Sequence, residues 1–173
     1  MRLPVLAAAV LLPFATLLAS PLAAEQIGQD AGICKSGRGP AIQVNVQDLK
    51  DRTGELWLEL YPANQADYLR ADTDLMAEGK TFRRTRARLP ASGSVEICVK
   101  LPSAGRYALM LRHNRVGKDK FSAWSDGAGI PANKALGRSK PSLGAATVNA
   151  GAGITVVTIK MQYLHGFGFS PSS

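Results

Sequence analysis

Residues 113–122 read HNRVGKDKFS and follow directly on a strand-like run, RYALMLR. A calcium loop sets oxygen-bearing side chains at alternate positions around a turn glycine. Counted from Asn114, the alternate positions hold Asn114, Val116, Lys118, Lys120 and Ser122. Two neutral oxygens, an apolar group and two ammonium groups do not meet calcium's demand for roughly six to eight oxygens and several negative charges. The stretch has the outline of a metal loop without its ligands, and neither a metal nor a cofactor is expected.

Other chemistry is sparse. The histidines are His113 and His165. A serine hydrolase needs its nucleophile on a defined turn with a base in reach, and the chain has no G-x-S-x-G. An envelope hydrolase using His113 and Asp126 is the alternative reading. The expected role of His113 is a strand-end residue whose ring hydrogen-bonds loop backbone. The cysteines Cys34 and Cys98 form no C-x-x-C pair and have no zinc spacing with the two histidines. In an exported chain they are expected to form one disulfide, closing a loop worth at most about 4 kcal/mol.

Positive charge is the stronger signal. The chain carries +8 overall. TFRRTRARL alternates so that Arg84, Arg86 and Arg88 share one side of a strand, about 6.8 Å apart. Such a stripe cannot face an apolar core, so the strand is an edge or has one wet face; the charge either guards an edge against pairing or offers a surface to an anionic partner. From Arg112 to Lys140 there are seven Lys or Arg against Asp119 and Asp126, a net of +5. This stretch lies in a long connection, residues 113–144, which also holds Phe121 and Trp124. Long loops of this kind often carry function. The two aromatics either fold back on the sheet as a lid, the expectation for Trp124, or are presented to a ligand.

The elements that must position these residues read as strands. In AIQVNVQ, Ile42, Val44 and Val46 alternate with polar residues. LWLELY aligns Leu56, Leu58 and Leu60. SVEICVKL aligns Val95, Ile97, Val99 and Leu101, with Cys98 on the opposite face. The disulfide is therefore expected on the outer face of a sheet, tying down the N-terminal leader. RYALMLRH aligns Tyr107, Leu109, Leu111 and His113, and ITVVTIKMQY aligns Val157, Ile159, Met161 and Tyr163. Residues 66–78 have some helical character. About seven short strands separated by turn residues indicate an all-β sandwich with one long loop.

The N-terminus has Arg2, an apolar run and then small residues, the order of a cleavable signal peptide ending near Ala24. The expected organisation is a signal peptide (1–24), a polar leader tied by the disulfide (25–40), a β-sandwich domain (41–164) and a flexible tail (165–173). Nothing after the signal is apolar enough to span a bilayer. The expected localisation is periplasmic or secreted, and export disfavours nucleic acid as a partner.

HNRVGKDKFSAWSDGAGIP, followed by KPSLGAATVNAG and preceded by GELWLELYPANQADYL and LPSAGRYALMLRH, resembles the domain-of-unknown-function 2141 family of exported bacterial proteins. The resemblance runs from about Ile42 to Tyr163. It implies an immunoglobulin-like or prealbumin-like sandwich, but no activity. The family loop typically runs His-Asp-x-Asn/Asp-x-Asn-Gly-x-Leu-Asp, which suits calcium. Here His113 is kept, while Asn114, Val116, Lys118, Asp119 and Ser122 replace the ligand, glycine and final Asp positions. A degenerate calcium loop is thus a further alternative, with Lys118 as an internal cation in the metal's place. The function expected is a non-enzymatic binding or structural module of the cell envelope. It would meet an anionic envelope component or another envelope protein through Arg84, Arg86, Arg88, His113, Asn114, Lys118, Trp124 and Asp126.

Overall fold

A computed structural model describes residues 24–171. The expected signal peptide lies outside the described residues except for Ala24. Among these residues, eleven strands form two sheets, joined by short helices α1 (Ala31–Ser36), α2 (Asp72–Ala77) and α3 (Leu143–Ala146). The four-stranded sheet contains β1 (Glu25–Ile27), β2 (Ala41–Gln47), β5 (Val95–Lys100) and β9 (Ile154–Lys160) in the order β1-β5-β2-β9. The larger sheet contains β3 (Glu55–Pro62), β4 (Arg83–Arg88), β6 (Gly105–Asn114), β7 (Gly127–Gly129), β10 (Gln162–His165) and β11 (Gly168–Pro171). Its order is β11-β10-β7-β6-β3-β4, and β8 (Thr147–Ala150) pairs with the start of β6. The fold is an all-β sandwich, as the alternation requires.

Alternation also sets which faces meet. Ile42, Val44, Ile97 and Val99 of the small sheet pack against Leu56, Leu58, Leu60, Leu109 and Leu111 of the large one. Each of these side chains is fully shielded from water, and burial of one such residue contributes roughly 1.5–3 kcal/mol. The last run, ITVVTIKMQY, keeps its alternation but changes sheet. β9 pairs with β2, the chain breaks pairing at the buried Met161, and β10 continues in the larger sheet beside β7. One run of sequence thereby joins both layers.

Four short strands lie where the sequence suggests loop or tail. β7 falls inside the connection 113–144 and pairs with β6 and β10. Its sequence, Gly-Ala-Gly, has no periodicity to read, yet the glycines are required by packing. A Cβ on Gly127 would sit 2.5 Å from the Tyr163 ring, and one on Gly129 would sit 2.6 Å from Ile159. β8 lies between α3 and β9. β1 belongs to the leader, and β11 occupies the expected tail, where it pairs with β10. The helix expected over residues 66–78 is shorter. Asn64 accepts from the Asp67 amide and Leu69 takes a left-handed φ of 60°, so a turn delays the helix to Asp72.

Cys34 and Cys98 are bonded. The bridge lies on the outer face of the small sheet, in a separate buried cluster with Ala41 and partly buried Ile33 and Ile154. It ties α1 to β5, with Gln26 of β1 hydrogen-bonded to Gln43 and Glu96 nearby.

Replacing both cysteines by serine is expected to lower the unfolding free energy by up to about 4 kcal/mol. The check is the urea midpoint. An unchanged midpoint would mean that packing around Ala41 already holds the leader in place.

Candidate functional site

The stretch that opens the connection does enclose a cation, but the cation belongs to β6. Arg112 stands on the outer face of that strand and is 6% exposed. Its guanidinium donates to the carbonyl oxygens of Lys118 (2.6 Å), Asp119 (2.6 Å) and Lys120 (3.0 Å). It also donates to Asp126 Oδ2 at 3.1 Å. Asp126 is buried and in turn accepts from the amides of Ser122 (3.0 Å) and Arg115 (3.2 Å). The loop is thus wound around a guanidinium through its backbone.

This corrects the assignment of Lys118. The residue is exposed, and its contribution to the loop interior is its carbonyl oxygen. The physical reason is geometric. A planar guanidinium on a rigid strand presents several donors to several carbonyls at once, and a flexible ammonium does not. Arg112 was missed because its partners are main-chain atoms, which side-chain spacing does not display. Its position opposite Trp57 in the β3–β6 register is the available signal. Among the described residues, no group of three or more His, Cys, Asp or Glu could hold a metal ion.

His113 is fully buried, and both ring nitrogens are engaged. Nε2 lies 2.7 Å from the Thr53 carbonyl, which can only accept, so Nε2 carries the proton. Nδ1 therefore accepts from the Tyr163 hydroxyl, also at 2.7 Å. Burial pushes Tyr163 up to about 12, so the phenol stays protonated. The same hydroxyl accepts from the Lys50 amide. Burial lowers the His113 pKa, against the opposing effect of the Thr53 hydrogen bond. With no free ring nitrogen, His113 is placed to hold the turn 48–54. Neither it nor Asp126 lines either of the two main surface cavities. Arg115 secures the same turn through Asp51. Burial raises the Asp51 pKa, but hydrogen bonds from Arg115 and Thr53 outweigh it and hold the carboxyl well below its usual range.

The arginine stripe lies on β4, the edge strand of the larger sheet. Its three members have different fates. Arg84 pairs with Glu59 at 2.7 Å and Asp72 at 2.6 Å, which ties α2 to the sheet. Arg86 stacks on Trp57, 3.8 Å from the ring centre, while Arg112 approaches the same ring at 4.6 Å. Arg88 is exposed, and among the described residues no carboxylate pairs with it.

Arg86 and Arg88 line a cleft of about 520 Å³ with Arg52, Trp57, Glu55 and Asn114. Asn114 is 1% exposed, and its side-chain carbonyl has no hydrogen-bond partner. Arg52 likewise has an unpartnered buried nitrogen, Nη1. The structure therefore brings Arg86, Arg88 and Asn114 together. It sends Arg84 into an internal ion pair and His113 and Asp126 into loop support. Trp124, expected as a lid, is instead 89% exposed. It stands on the turn before β7.

A family model described as an uncharacterized protein conserved in bacteria (DUF2141) matches residues 44–158. No curated protein and no solved structure matches the chain.

Two outcomes test the loop and the turn. Arg112→Met leaves Asp126 and three carbonyls without their cation and is expected to cost about 3 kcal/mol or more of stability. Lys118→Ala should change stability by less than about 0.5 kcal/mol, and equal losses in urea denaturation would contradict the assignment. For His113, the folded pKa lies below its ordinary 6.5. As pH falls through that value, the unfolded chain takes up a proton that the folded chain refuses. Stability is then full above the ordinary value and declines below it. An NMR titration of the ring should have its midpoint below the ordinary value, and a midpoint at or above it would refute the burial argument.

Proposed function

From the premise that the chain belongs to this uncharacterised bacterial family, we propose that it is an exported, non-enzymatic binding module of the cell envelope, and that it holds an acidic saccharide in the cleft beside β4. The signal-like N-terminus and the Cys34–Cys98 bridge support export, because disulfides persist in oxidising compartments. Among the described residues, no helix is long and apolar enough to cross a membrane.

The observation that carries the ligand class is the pairing of cationic and unsatisfied polar groups in one cleft. Arg86 and Arg88 can take a carboxylate in bidentate fashion. Asn114 offers a buried acceptor that needs a donor, which a sugar hydroxyl supplies, and Arg52 offers a donor that needs an acceptor. Glu55 and Asp119 at the same cleft add acceptors for further hydroxyls and leave the lining close to neutral. That combination suits a hydroxylated anion better than a dense polyanion.

Polygalacturonate and heparin are the probes. The double variant Arg86→Gln/Arg88→Gln is expected to elute from either matrix at clearly lower salt than the natural protein. Arg84→Gln is expected to lose stability, since it breaks the Glu59 and Asp72 pairs, without a comparable loss of retention per folded molecule. Unchanged elution of the double variant would overturn the cleft as the ligand site.

A further inference from the structure

The connection that begins with the Arg112 loop ends beside a second cavity. Met110, Ala128, Leu136 and Leu164 line a groove of about 740 Å³ on the outer face of the larger sheet. None of these residues lines the arginine cleft. Trp124 and Phe167 also line the groove, and they are 89% and 86% exposed. Large aromatic side chains left in water next to a concave apolar surface mark a site for something apolar. The volume falls within the range of small-molecule sites, about 300–1,000 Å³.

Two facing segments build the groove. Phe167 is carried on the tight turn between β10 and β11, and Gly166 there has a φ of 56°. The opposite wall, residues 136–141, is clamped to β11 by paired hydrogen bonds. Gly137 N donates to the Phe169 carbonyl at 3.3 Å, and Phe169 N donates to that of Gly137 at 2.9 Å. Gln162 fastens the same wall from below. Its side chain accepts from the Leu136 amide at 2.9 Å and donates to the Lys134 carbonyl at 2.8 Å. Charge completes the pattern. Arg138 and Lys140 stand on this wall, both exposed, and no acidic residue lines the groove.

We propose that this groove binds a single-chain anionic amphiphile, a free fatty acid. Its hydrocarbon chain would lie over Met110 and Leu164 between Trp124 and Phe167, and its carboxylate would sit on Arg138 and Lys140. The apolar floor selects the chain, and the two unopposed cations select the head. This site is independent of the saccharide cleft, and either can fail without the other.

The test titrates sodium laurate, below its critical micelle concentration, into the purified protein and follows tryptophan emission. Trp57 is 3% exposed, so the response reports on Trp124. A saturable blue shift is expected. Phe167→Asp and the double variant Arg138→Gln/Lys140→Gln should each weaken binding at least about tenfold, or about 1.4 kcal/mol. All three positions are exposed, so the variants retain the fold, and circular dichroism checks that they do. Dodecanol, with the same chain and no charge, should bind about tenfold more weakly than laurate. Absence of a saturable shift overturns the proposal, as does a shift that Phe167→Asp leaves unchanged. Binding to phosphatidylglycerol vesicles that depends on Phe167, without binding of monomeric laurate, also overturns it and assigns the surface to a bilayer.

Discussion

The Arg112 guanidinium is the constraint on which the functional end of the sandwich depends. It donates to three loop carbonyls and a buried carboxylate and lies against the ring of Trp57. A charge so deeply placed would be costly without those acceptors, which engage both terminal nitrogens and leave Nε without a partner. Three of the four acceptors are backbone, so the loop 115–126 closes around it mainly through its main chain. Asp126 then caps the returning chain and delivers it to β7. The loop held by it contributes Gly117 and Asp119 to the cleft beside Arg86, and Phe121 and Trp124 to the groove.

A second knot reinforces the first from the interior. His113 follows Arg112 and points the other way, as neighbours on a strand must. Its ring joins Thr53 to Tyr163, so the β2–β3 turn, β6 and β10 meet at one imidazole. Arg115 extends the linkage across the surface to Asp51. Three successive functional-looking residues, Arg112, His113 and Asn114, thus divide their work. The first two build the scaffold, and the third brings an unspent polar atom to the cleft beside β4.

Much of the frame was legible in the sequence because alternation is a direct consequence of a two-sided strand. The inward sets of β2, β3, β5 and β6 came from period two alone, as did the outward placement of Cys98, while for the arginine strand it left open an edge or a strand with one wet face. What escaped has a common cause. β7 is too short and too glycine-rich to show a period, and its existence follows from the Tyr163 ring that covers it. The change of sheet at Met161 leaves the alternation unbroken, so no pattern marks it. The partners of Arg112 are carbonyl groups, which every residue has. Trp124 could have been a lid or a presented side chain, and residue type does not distinguish the two.

The order of pairing has a consequence in time. β2 is central in the small sheet, between β5 and β9, and β9 joins it in parallel across more than a hundred residues of chain. Pairings of such long range are slow to form, since the intervening chain must be restrained before any contact is gained. The small sheet therefore cannot be completed until residues 154–160 have left the ribosome. β9 is the last strand of that sheet in chain order, so β2 keeps one open edge through the whole time that β3 to β8 are laid down and paired.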